Sequence, residues 1–166
     1  MQLYQILTPS CQCCYTKKQR MTATAHALVG GAIAASIPDP AIGLPLAAIS
    51  HPLLDLIPHW DVGFNWRKTP KLILFRDCVI DLTLGVILAY IIFGQNISLI
   101  YFAAAIFVSE AWDLLEAPYW FLKWDFPPFS WIYEFGHRIQ NKAKPPLGII
   151  TQVISVIVIM LGLKVI

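Results

Sequence analysis

Charge is scarce in this chain: Lys, Arg, Asp and Glu together make up 13% of its 166 residues, against 57% hydrophobic side chains. Twelve Lys and Arg against ten Asp and Glu leave a formal net charge of only +2. The basic residues sit in connecting segments without forming a stripe, which excludes a nucleic-acid surface. There is no Gly-rich phosphate loop, no Gly-x-x-x-x-Gly-Lys and no Gly-x-Ser-x-Gly, so neither a phosphate cradle nor a serine nucleophile has an evident carrier. Cysteine is sparse too. Cys11, Cys13 and Cys14 crowd into a polar leader and Cys78 stands alone, without the paired Cys-x-x-Cys spacings of a structural zinc site. No apolar signal-peptide core precedes these cysteines, and Met21 is a natural alternative start. Residues 1–20 are therefore expected to be a disordered leader, possible to dispense with, and 21–166 a single domain.

What the chain does have is apolar length. Five hydrophobic segments, at about 22–37, 41–57, 72–93, 97–122 and 147–166, are separated by Pro/Gly-rich or charged connections. At about 1.5 Å per residue, roughly twenty helical residues cross a ~30 Å hydrocarbon core. The last three segments have that length and the first two are shorter, joined at Ser36-Ile-Pro-Asp-Pro40 by prolines that end one helix and restart the chain. The expected fold is thus an all-α polytopic transmembrane bundle, with three long spanning helices plus a short N-terminal helical pair. With the amino terminus inside, every Lys and Arg except Lys164 falls on the inner side, which follows the positive-inside rule and implies an inner-membrane protein with a cytoplasmic site.

Against this background His51, Asp55, His59 and Asp61 stand within eleven residues. Ionisable groups are costly in lipid, so such a cluster is a functional-site hypothesis, and imidazoles mixed with carboxylates suit a divalent metal. His51 and Asp55 are four apart and share a helix face; the plain alternative is a hydrogen-bonded polar clamp between helices. His26 in the first segment can complete the set. Asp77 and Asp81 repeat the four-residue spacing, and Asp113 lies three from both Glu110 and Glu116. Carboxylates brought close in low dielectric repel unless a cation, proton or Arg intervenes, so Asp81 and Asp113 are further candidate ligands. His59 and Asp61 follow the helix-ending Pro58 and are the candidate proton carriers. His137 reads as an interfacial loop residue. Trp112, Tyr119, Trp120, Trp124, Phe126, Phe129, Trp131 and Tyr133, interleaved with prolines, read as an aromatic belt on an amphipathic, partly helical loop. Trp120 or Trp124 would then stand near a substrate's approach.

Three motifs carry a resemblance. Thr24-Ala-His26 before a small-residue helix, the Pro38-Asp39 turn, and Ser50-His51-Pro-Leu-Leu-Asp55-Leu-Ile-Pro58 resemble segments of the bacterial membrane-bound metal-dependent hydrolases, small multi-pass inner-membrane proteins. The similarity covers about residues 22–61. The family's His-Arg-Gly-x-Thr-His-Ser stretch is absent here. By analogy, the resemblance implies hydrolase chemistry.

The expectation is accordingly a membrane-embedded hydrolase in which a divalent metal, zinc first among the candidates, is held by His26, His51 and Asp55 with Asp81 or Asp113. It would activate water against a phosphoester or acyl bond, with His59 or Asp61 carrying protons and membrane lipid as environment and possible substrate. Two rivals remain: a divalent-cation transporter or channel, disfavoured by an outer half nearly bare of ionisable groups, and a non-catalytic membrane scaffold held by polar clamps. Oligomeric state is not readable from the sequence.

Overall fold

The computed structural model describes residues 22–60, 69–141 and 143–165, within which the chain forms six α-helices. They are α1 (Ala23–Ser36), α2 (Pro40–Asp55), α3 (Lys71–Phe93), α4 (Leu99–Phe121), α5 (Phe129–Ile139) and α6 (Leu147–Gly162). The small residues of α1 make it the central helix, because a narrow cylinder admits close neighbours on every side. It packs on α2, α3, α4 and α6 and is buried almost continuously from Ala25 to Ala34. Gly30 is the tightest point of its contact with α4: a Cβ there would lie 2.6 Å from Ser109 Oγ and 3.1 Å from the Ala105 carbonyl. The remaining core is formed by Leu54, Ala89, Phe93, Phe102, Ala105 and Ile106 with Val156 and Met160.

Proline shapes α2. Asp39 caps its start, Oδ1 accepting the Ala41 amide at 2.9 Å, and Pro40 occupies the first turn, where no amide hydrogen is needed. Pro45 and Pro52 lie inside the helix. Pro52 has no N–H to give the carbonyl four residues back, and that carbonyl, Ala48, instead accepts the Trp112 indole N–H at 3.0 Å. The break in the helix ladder thereby becomes a cross-link between α2 and α4.

The expected transmembrane bundle is not what the chain forms: no helix among the described residues is long and apolar enough to cross a membrane. Any 18-residue stretch of the 23-residue α3 contains Arg76, Asp77 and Asp81, and any such stretch of the 23-residue α4 contains Glu110, Asp113 and Glu116. The third expected span shortens to the 16 residues of α6, about 24 Å against a core of ~30 Å. The short N-terminal pair is present as α1 and α2, but the three spans are not, and the inner-membrane location and cytoplasmic orientation that depended on them fall as well. Much of the hydrophobic content faces outward, with Leu72 and Ile100 80% and 83% exposed. α5 lies inside the aromatic loop, where an amphipathic and partly helical segment was expected.

Candidate metal centre

Four parts of the chain meet at one buried point. α1 contributes His26; α2 contributes His51 and, one turn later at its last residue, Asp55; the strand of chain beyond Pro58 contributes His59; α4 contributes Asp113. His26, His51, Asp55 and His59 are 1%, 2%, 3% and 0% exposed, while the Asp113 side chain is 26% exposed and forms the open side.

The turn after α2 is held from two directions. The Asn141 amide donates to the Asp55 carbonyl at 3.2 Å and its side-chain amide to the Leu56 carbonyl at 2.7 Å, while the Ala143 amide donates to the His59 carbonyl at 3.1 Å. At the start of α6, Thr151 Oγ1 donates to the Pro58 carbonyl and Gln152 Nε2 to the Trp60 carbonyl. Gly148 lets α6 come this close, since a Cβ there would be 2.6 Å from the Trp60 nitrogen.

Backbone carbonyls set the imidazole tautomers. His51 Nδ1 stands 2.6 Å from the Ser109 carbonyl, and His59 Nδ1 stands 2.6 Å from the Ile57 carbonyl. A carbonyl only accepts, so both rings carry their proton on Nδ1 and present the Nε2 lone pair inward, as metal-ligating imidazoles do. His51 Nε2 lies 3.6 Å from Asp55 Oδ2 and 3.6 Å from Asp113 Oδ1; His26 Nε2 lies 3.6 Å from Asp55 Oδ1; His59 Nε2 lies 4.0 Å from that same oxygen. These separations are too long for hydrogen bonds. They suit ligands of an ion, because two atoms each about 2.1 Å from a tetrahedral metal stand about 3.4 Å apart. His26, His51 and Asp55 offer ligand atoms all within 4.8 Å of one another.

The rings of His26 and His51 stack at 3.7 Å, 10° from parallel. Neither nitrogen of His26 has a hydrogen-bond partner among the described residues, nor has Asp55 Oδ1. A buried polar atom left in this state costs about 1–3 kcal/mol. Burial, followed by the neighbouring His51, holds the His26 pKa below its ordinary value, so His26 is a neutral imidazole. Burial would also lower His51, but Asp113 and Asp55 beside it outweigh that and raise it. Burial would raise Asp55, but His26 and His51 hold its carboxyl below the usual carboxylate range.

Not every candidate residue joins the cluster. Asp81 caps α1 from the side: Oδ2 accepts the Ala23 amide at 2.7 Å and Oδ1 the Thr24 hydroxyl at 2.6 Å. It is thus engaged as an N-terminal cap and not as a ligand, which also suits a carboxylate at the positive end of a helix. Asp61 lies outside the described residues. Asp77 pairs with Arg76 at 2.7 Å, and His137 stacks on Tyr133. Trp120 lines a separate cavity of about 450 Å³ with Lys71, Tyr119, Lys123 and Asp125, and Trp124 packs on Phe126 and Phe129.

One contributor, Ser109, carries no signal in the sequence. Ser109 acts through its backbone carbonyl, and its hydroxyl donates to the His26 and Ile106 carbonyls at 3.1 and 2.8 Å. Glu110, one residue on, is buried, and its carboxyl is pushed well above the ordinary value by burial and then by Asp113, Asp81 and Asp55. No known protein family, curated protein or solved structure matches this chain.

Proposed function

We propose that the protein is a metal-dependent hydrolase whose centre is the His26, His51 and Asp55 cluster, with Asp113 at its open side. One observation carries this reading: buried imidazole nitrogens and carboxylate oxygens face each other at 3.6 Å without hydrogen bonds. A divalent ion bound there supplies Lewis acidity, lowering the pKa of water toward about 7 and polarising a phosphoryl or acyl oxygen. The Ser109 carbonyl keeps the His51 Nε2 lone pair directed inward. Burial keeps His26 neutral. Asp113, the one member of the cluster whose side chain reaches solvent, marks the side from which an ester would enter.

The test pairs metal content with turnover. Purified protein is loaded with Zn²⁺, dialysed, and assayed for bound metal and for hydrolysis of a panel of phosphodiesters and carboxylic esters of short and long chain. Bound metal near or above one ion per chain and turnover are expected; His51→Ala should lower the first and abolish the second. Wild type without stoichiometric metal, or His51→Ala with unchanged metal, would refute the reading.

A further inference from the structure

The centre has an internal pairing that a single ion does not use. The two stacked rings both turn Nε2 toward Asp55, yet each meets a different oxygen: His26 faces Oδ1 and His51 faces Oδ2. The two outlying groups divide in the same way, since His59 Nε2 faces Oδ1 and Asp113 Oδ1 faces His51. Each half therefore holds an imidazole, one oxygen of the shared carboxylate and one further ligand.

Ring geometry decides between one ion and two. An imidazole lone pair lies in the ring plane, and the rings here are nearly parallel with centroids 3.7 Å apart. An ion midway between them would stand up to about 1.8 Å out of each plane while its bond is only about 2.0–2.1 Å long, so it would meet neither lone pair. An ion in the plane of each ring avoids this. Two such ions lie side by side at about the stacking distance, within the ~3.5–4 Å spacing of two-metal sites.

We propose that the centre is dinuclear. His26, His59 and Asp55 Oδ1 hold one ion, His51, Asp113 and Asp55 Oδ2 hold the other, and the Asp55 carboxylate bridges them. His59 and Asp113 then act as ligands and neither is the proton carrier. Three protein ligands per ion leave each a position for water or substrate oxygen, so the substrate class narrows to esters whose attacking and leaving oxygens are stabilised together, as in phosphodiesters. This substrate assignment rests on the hydrolase reading; the ion count does not.

The experiment counts ions in the full chain carrying Cys11→Ser, Cys13→Ser and Cys14→Ser, so that these thiols add none. After Zn²⁺ loading and dialysis, elemental analysis should give two ions per chain, falling to one in His59→Ala, to one in Asp113→Asn and to none in Asp55→Asn. Mn²⁺-loaded wild type should show the EPR pattern of an exchange-coupled pair. Near-ultraviolet circular dichroism checks folding; if His59→Ala misfolds, the partly exposed Asp113→Asn decides alone. One ion in wild type overturns the second site while leaving the hydrolase reading standing. No ion overturns both. Two ions persisting in the folded variants overturn the ligand assignment.

Discussion

Replacing His26 by Leu should make the metal-free protein more stable and the metal-loaded protein relatively less so. His26 is 1% exposed, and both its ring nitrogens lack hydrogen-bond partners among the described residues. At about 1–3 kcal/mol for each buried polar atom left unsatisfied, removing two relieves about 2–6 kcal/mol. Leucine has a similar bulk, so the cavity term is small, but the flat contact with His51 at 3.7 Å and the support His26 gives the buried Asp55 carboxylate are lost and the branched side chain must repack, together at a cost of about 1–3 kcal/mol. The net expectation in chelator lies between about −1 and +5 kcal/mol and centres on a gain of about 2 kcal/mol, or roughly 4–8 °C in melting temperature for a chain of this size. With metal the gap narrows. An ion at a hundred times its dissociation constant stabilises the wild type by about 2.7 kcal/mol, and the variant, short of a ligand, gains less. Thermal melts in EDTA and in excess Zn²⁺, for both proteins, give four numbers whose double difference isolates the site. A variant less stable than wild type in EDTA by more than about 1 kcal/mol would mean that His26 is satisfied in the metal-free fold, and the argument from its orphaned nitrogens would fail.

Glu110→Gln should alter how metal-free stability depends on pH. The folded-state pKa of Glu110 is raised, so the unfolded chain releases this proton first as pH rises through about 4.3–4.5, and stability falls until the folded pKa is passed. Glutamine cannot titrate, so denaturation curves in EDTA should show wild type and variant alike near pH 4 and the variant more stable near pH 7; a difference independent of pH would contradict this. Gly30→Ala tests the α1–α4 contact: alanine gains about 1 kcal/mol of helix propensity, yet its Cβ would meet Ser109 Oγ at 2.6 Å, and such overpacking costs about 1–3 kcal/mol. It should be neutral to destabilising and should weaken metal affinity by shifting the Ser109 carbonyl from His51, whereas a variant stabilised by the full propensity gain would show that the helices part freely.

Part of this arrangement can be read directly from residue spacing. His51 and Asp55 are four apart, and helical periodicity alone puts them on one face. The helical segments also came through, each within a few residues of α1, α2, α3, α4 or α6, because apolar runs bounded by Pro and Gly mark helix ends whatever surrounds them. Hydropathy did not determine the environment. The same leucines and isoleucines that suggested spans occupy the outer faces of helices that also carry Arg76, Asp77, Asp81, Glu110, Asp113 and Glu116 along their length.

Asp81 misled for a related reason: four-residue spacing from Asp77 defines an acidic face but not what meets it, and here it meets the amide of Ala23 at the start of another helix. Ser109 was silent because its carbonyl, common to every residue type, is the group that orients His51. Sequence distance can bring two imidazoles to one carboxylate, but it carries no information about the dihedral angles that lay their rings face to face. Since an imidazole binds only in its own plane, those angles decide whether His26 and His51 compete for one ion or each hold their own. The number of ions such a cluster could hold is therefore a property of tertiary packing, of how α1 and α2 set their imidazoles side by side.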